Sequence, residues 1–121
     1  MPVILTFVFL GVVFVVVGGL GWAKRLRRNS LVGLRTPSTM ASDESWAQAN
    51  FVAGRWLTVS GVVVLLGAVV AFVEWIGRAP ATGLQVTLYV SGVLAAVGSV
   101  GGVAAGVIAA RRSVRSEKAA R

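Results

Sequence analysis

Three long apolar stretches divide the chain, and polar or turn-forming residues separate each from the next. Residues 3–23 and 84–110 contain no charged side chain, and residues 51–76 carry charge only towards their ends, at Arg55 and Glu74. A hydrocarbon core of about 30 Å needs roughly 20 helical residues to cross it, so each stretch is long enough. The pattern predicts an all-α integral membrane protein in which residues 1–121 form one domain with three transmembrane helices.

The polar segments predict what lies between the spans. Residues 77–83 contain Pro80 and two glycines, which are typical of a tight turn. Within the loop 24–50, Thr39 or Ser42 can cap a helix that has acidic residues in its first turn. We therefore expect a short amphipathic helix from about Ser42 towards the second span. Residues 111–121 form a basic tail.

Positive charge indicates how the spans are oriented. The formal net charge is +8, and ten of the twelve basic residues lie in the loop or the tail. The loop carries Lys24, Arg25, Arg27, Arg28 and Arg35, and the tail carries Arg111, Arg112, Arg115, Lys118 and Arg121. Basic segments beside spans stay in the cytoplasm, where they face anionic lipid. We expect the loop and the C-terminus inside and the N-terminus outside, with the lipid bilayer, rather than nucleic acid, as the partner of this charge.

The sequence offers little for catalysis. It has no cysteine and no histidine, so thiolate nucleophiles, imidazole bases and the common zinc ligands are missing. Its acidic residues are Asp43, Glu44, Glu74 and Glu117. Asp43 and Glu44 lie about 100° apart on a helix and do not converge as a general acid/base pair would. We expect neither an enzyme nor a bound cofactor or metal.

Small residues recur at regular intervals in all three spans. The third span carries Gly98, Gly102 and Gly106 at intervals of four, a stripe that lets two helix backbones approach closely. Intervals of seven, typical of left-handed bundles, separate Gly11 and Gly18 in the first span and Gly54, Gly61 and Ala68 in the second. The partner of the third-span stripe is either another span of this chain or a second copy or other membrane protein.

The loop holds the most specific pattern of the chain. It consists of Asn29, Gly33, Arg35-Thr36-Pro37, Thr39, Trp46 and Asn50, followed by Gly54 in the second span. This spacing resembles the signature of the SdpI family of bacterial membrane proteins, over about residues 24–70, and specifically the C-terminal module of its naming member. The resemblance implies a bacterial cell-membrane protein that gives immunity to a secreted peptide toxin, or signals by holding a repressor at the membrane.

The residues of the loop leave its role open. Arg35 either ties the loop together, through backbone carbonyls or through Asp43 or Glu44, or forms a site for an anionic headgroup, a peptide or a partner protein. Two other functions are alternatives to the SdpI-type hypothesis. The glycine stripe and the small size fit an accessory subunit of a larger membrane complex. A small transporter built from several copies has weaker support, because Glu74, the one acid in the spans, lies too near an interface to couple protons.

Overall fold

Three helices make up all the regular structure in the part of the chain that the computed structural model describes, residues 1–25, 33 and 35–121. They are α1 (Pro2–Trp22), α2 (Asp43–Ile76) and α3 (Ala81–Ala119). Each is long and apolar enough to cross a bilayer. The predicted all-α architecture with three membrane-spanning helices is confirmed.

The middle helix organises the bundle. Both α1 and α3 pack along α2, whereas the described backbones of α1 and α3 do not approach one another. The two outer helices meet through side chains, as where the Phe7 ring faces Gly92. Much of the bundle's hydrophobic surface, such as Phe9 and Tyr89, is exposed, as it must be in a protein that lipid solvates from outside.

Glycines bring α1 against α2. A Cβ atom added to Gly18 would lie 2.8 Å from the carbonyl oxygen of Gly54, and one added to Gly61 would lie 2.9 Å from the carbonyl oxygen of Gly11. Backbone therefore touches backbone at two levels of this interface. The seven-residue spacing in both helices places these glycines on facing sides, and any larger residue would push the helices apart.

The stripe on α3 faces α2 of the same chain. A Cβ atom added to Gly102 would lie 2.7 Å from the Cβ of Trp56, and Gly98 packs directly against Ser60. Gly106, one turn further, is also buried. Of the two partners that the sequence left open for this stripe, the structure uses the neighbouring span.

Two helices are longer than the spans predicted from hydrophobicity. The separate short helix expected in the loop is absent as an independent element, because α2 runs unbroken from Asp43 to Ile76. The helix is unbroken because no proline or glycine lies between Ser42 and Ala53. Likewise, α3 continues through most of the tail to Ala119, since no proline or glycine follows Gly106.

Tryptophans indicate where the membrane interfaces lie. Trp22, Trp56 and Trp75 are all about half exposed, at 45%, 48% and 50%. Along α2 the last two are separated by about 28 Å at 1.5 Å per residue, close to the thickness of a hydrocarbon core. Half-exposed tryptophans at this spacing are typical of interfacial anchors. The turns of α2 before Trp56 then extend beyond the hydrocarbon on the side of the loop.

Candidate functional site

The Thr36-Pro37-Ser38-Thr39 segment folds into a single closed turn. The Thr36 amide donates to the hydroxyl of Thr39 over 2.6 Å, and the Thr39 amide donates to the hydroxyl of Thr36 over 3.2 Å. The Met40 amide closes the turn by donating to the Thr36 carbonyl over 2.9 Å. Pro37 stands at the first position, where a missing N–H costs nothing. The motif therefore encodes a reciprocal capping arrangement in one helical turn.

A second capping box follows three residues later and starts α2. The Ser45 amide donates to the Ser42 hydroxyl, and the Ser42 amide donates to the Ser45 hydroxyl, each over 3.1 Å. Asp43 and Glu44 occupy the first turn, where the positive end of the helix dipole stabilises their negative charges. The Ser45 hydroxyl also donates to the Thr39 carbonyl over 3.4 Å, which links the two boxes. Of the two predicted caps, Ser42 starts α2 and Thr39 belongs to the turn before it.

The linked boxes rest on a buried row of side chains. Thr39 and Ser45 are fully buried, and Trp46 is only 2% exposed. One turn further into α2, the buried Asn50 donates from its side-chain amide to the Trp46 carbonyl over 3.0 Å and lies against Gly21 of α1. Trp46, predicted to lie in the loop on a short helix from about Ser42, lies in the first turns of α2. The motif thus continues from the loop into the interface between α1 and α2.

The far end of α3 completes the site. The Ser42 hydroxyl donates to a carboxylate oxygen of Glu117 over 2.9 Å. A negative charge at this point lies beside the N-terminus of α2, where it is favoured electrostatically. Glu117 was not among the residues that the sequence singled out for the loop. The signal that could have found it is the absence of any helix breaker after Gly106, which lets α3 reach the loop.

Three further residues of the motif lie at the surface. Arg35 and Pro37 are exposed, and Gly33 is exposed with a φ of 106°, a conformation that favours glycine. Asn29 lies outside the described residues. Whether Arg35 ties the loop together or binds a partner stays a prediction.

A pocket opens beside this loop, between the three helices. It measures about 240 Å³, and its lining includes Gly33, Asn50, Gly54 and Ser99. The Ser99 hydroxyl is buried and has no hydrogen-bond partner among the described residues. Those residues also contain no cluster of acidic side chains that could hold a metal ion. The site is thus a preformed polar surface beside a small cavity, built by helix-end hydrogen bonds.

Residues 25–110 match the model of the SdpI/YfhL protein family, which covers more than two thirds of the chain. The chain belongs to this family. The match extends well beyond the resemblance read from residues 24–70, because it continues to the end of the apolar part of α3. No curated protein and no solved structure matches the chain.

The SdpI/YfhL match coincides with the part of the structure built around the loop. It begins just after α1, and it includes both capping boxes, all of α2 and the glycine stripe of α3. Glu117 and the whole of α1 lie outside it. Family membership therefore applies to the loop surface and its supporting helices.

Proposed function

We propose that this SdpI/YfhL family protein acts in immunity towards a secreted peptide toxin or in membrane-associated signalling, and that the loop between α1 and α2 meets its partner. The observation that carries this proposal is the double-capped turn, which directly follows the exposed Arg35 and rests on the buried side chains of Thr39, Ser45 and Trp46. Binding residues on loops work best when a rigid scaffold positions them, and two linked capping boxes supply such a scaffold.

The chemistry of Arg35 limits the classes of partner that the loop could bind. A guanidinium is always charged and presents five donors in a planar fork that suits carboxylates and backbone carbonyls. An exposed guanidinium on a fixed turn fits a peptide or an acidic protein segment. With the loop in the cytoplasm, a signalling partner is a cytoplasmic protein, and immunity acts on a toxin that has already entered the bilayer.

The structure weakens the case for an accessory subunit. That alternative relied on a glycine stripe in need of a partner helix, and α2 of the same chain covers Gly98 and Gly102. No contact among the residues that the structure describes favours the small transporter either. The loop surface remains the feature that best supports a function.

A growth assay tests the proposal. Cells that lack the gene should become sensitive to at least one member of a panel of secreted peptides and bacteriocins, and the parent gene should restore protection. Arg35→Gln should fail to restore it while reaching the parent's membrane level. The matched control is Arg78→Gln, which removes the same charge from the exposed end of α2.

Signalling needs a separate readout. A photo-crosslinker at exposed Ala41, beside the capped turn, should capture a cytoplasmic protein from cells with the parent sequence and lose it with Arg35→Gln. Unchanged sensitivity to the whole panel, together with no crosslink that depends on Arg35, would show that the loop does not act as proposed.

A further inference from the structure

Two cationic side chains gather around one aromatic ring at the loop end of the bundle. The Lys24 ammonium lies 5.2 Å from the centre of the Phe51 ring, and the Arg55 guanidinium carbon lies 6.0 Å from it. Both cations are exposed, and neither forms an ion pair within the described part of the chain. The ring attracts each cation, but the two like charges repel one another. Among the described residues, no anion neutralises these two positive charges.

The backbone holds Lys24 at this place by a specific helix ending. The Lys24 amide donates to the Gly21 carbonyl over 3.1 Å, and the Arg25 amide donates to the Leu20 carbonyl over 2.9 Å, the pattern of a Schellman motif. Lys24 has a φ of 56°, a left-handed conformation that glycine adopts at lower cost. The chain thus carries a long cationic side chain at a position where the backbone favours glycine.

An apolar cleft of about 360 Å³ adjoins Arg55. It is lined by Trp22, Val52, Arg55, Trp56 and Val59. Trp22 and Trp56 are the tryptophans expected at the membrane interface on the loop side, and Val59 lies about one turn further along α2. The cleft consequently offers positive charge at its mouth and hydrocarbon contact along its length.

We propose that Lys24 and Arg55 bind the phosphate of an anionic phospholipid, with the acyl chain lying in the cleft between Trp22 and Trp56. A phosphate group accepts hydrogen bonds from a guanidinium and neutralises both cations at once. A free phosphate ion would satisfy the charges but leave the valine and tryptophan surface without an occupant. A zwitterionic lipid would bring its own cation to a site that already holds two. Phosphatidylglycerol fits both the charge and the cleft.

Binding measurements on the purified full chain test this site. The chain is held in phosphatidylcholine nanodiscs with increasing fractions of phosphatidylglycerol, and bound lipid is counted by native mass spectrometry after release. Arg55→Gln and Lys24→Asn should each weaken phosphatidylglycerol retention about fivefold, since each removes one of the two charges proposed to hold the phosphate. Asparagine suits the second position because it tolerates the left-handed backbone.

The opposite end of α2 provides a matched control. Arg78 also follows a helix end with a φ of 55°, and its amide donates to the Trp75 carbonyl over 3.3 Å. Arg78→Asn therefore removes a cation from the same backbone motif at the other interface, and it should leave phosphatidylglycerol retention unchanged. Arg55→Lys, which keeps the charge, should lose less than Arg55→Gln.

Each result decides the proposal. A preference for phosphatidylglycerol over phosphatidylcholine that falls with Lys24→Asn and Arg55→Gln, but not with Arg78→Asn, supports it. Equal retention of the two lipids by the parent chain overturns it, and so does an equal loss in all three variants. Competition by millimolar inorganic phosphate as effective as that by phosphatidylglycerol would also overturn it, because the acyl chain would then contribute nothing.

Discussion

Arg35 and Trp46 belong to one motif, but their surroundings differ. Substitution of Trp46 should therefore reduce stability, whereas substitution of Arg35 should reduce activity. Trp46 is 2% exposed, and Trp46→Ala should cost about 3–5 kcal/mol by leaving a cavity. Arg35 is exposed, so Arg35→Lys should leave the melting temperature within a degree or two while reducing protection or partner binding, because a point charge cannot reproduce the planar fork. The measurement pairs membrane level and melting temperature with biological activity. Arg35→Lys with parental activity would remove the guanidinium from the proposed mechanism.

Glu74, at the end of α2, is expected to destabilise the folded protein. One carboxylate oxygen accepts from the Thr87 hydroxyl over 3.2 Å, and the other is buried with no partner among the described residues. A negative charge in the last turn also opposes the helix dipole. Glu74→Gln keeps the first hydrogen bond and removes the charge, so it should stabilise the protein by about 0.3–1 kcal/mol.

Glu44 provides the control for that substitution. It lies in the first turn of the same helix, where a negative charge is favourable, so Glu44→Gln should have the opposite sign. Thermal unfolding in detergent at neutral pH and low salt compares the two. Destabilisation by Glu74→Gln would mean that the carboxylate has a favourable role at this end of the bundle.

At the scale of single residues, the sequence predicted local chemistry better than burial. Ser42 as a helix cap followed from its position before Asp43 and Glu44, since capping depends on neighbours in the chain. The exposure of Arg35 and the burial of Trp46 could not be predicted in this way. Both depend on how α1, α2 and the end of α3 converge, which no local pattern contains.

At the scale of helices, Gly102 and Gly101 provide a matched pair. An added Cβ at Gly102 would lie 2.7 Å from the Cβ of Trp56, whereas at Gly101 its closest contact would be the Trp56 ring at 3.8 Å. Gly102→Ala should therefore separate α2 from α3 and cost about 1–3 kcal/mol by overpacking. Gly101→Ala introduces the same methyl group at ordinary contact distance and should be close to neutral. Melting temperatures in detergent measure both, and equal values would show that the stripe does not set the helix separation.

The bond between Ser42 and Glu117 follows from the lengths of α2 and α3. Gly102 lies opposite Trp56, and antiparallel helices of equal rise then bring Glu117 level with the start of α2. Ser42→Ala removes both the cap and this contact, and should cost about 0.5–2 kcal/mol. Ser116→Ala, at an exposed position of the same turn of α3, is the control.

A double-mutant cycle isolates the contact itself. If Ser42 and Glu117 interact as the 2.9 Å distance indicates, Glu117→Ala should cost less in a Ser42→Ala background than in the parent. Purely additive free energies would mean that Ser42 acts only as a cap.

The sequence predicted the spans but not the full helices. Hydrophobicity reports which residues tolerate lipid, so residues 51–76 and 84–110 were visible as spans. It does not report where hydrogen bonding stops. The helices continue through polar residues to Asp43 in one direction and to Ala119 in the other, because capping and the lack of breakers decide their ends.

At the scale of the whole molecule, polar and basic side chains are concentrated at one end of an apolar bundle. The capped turn, the first turns of α2 and the last turns of α3 meet there, as the bond from Ser42 to Glu117 shows. The Lys24 and Arg55 pair lies towards this end as well. The opposite end offers the short connection between α2 and α3, with Arg78 as its basic residue. This asymmetry is what orients a small protein in a membrane.

Topology is the prediction that follows from that asymmetry. Ten of the twelve basic residues lie in the loop or the tail, and both segments belong to the same end of the bundle. A cytoplasmic location of this end satisfies the positive-inside rule for all three spans at once. We expect a fluorescent protein fused after Arg121 to fluoresce, since it folds in the cytoplasm, and alkaline phosphatase fused there to be inactive. Phosphatase inserted at Ala79, in the short connection, should be active and provides the internal control. Active phosphatase after Arg121 would reverse the orientation and would place Arg35 on the outer surface, where a secreted toxin arrives first and a cytoplasmic repressor never could.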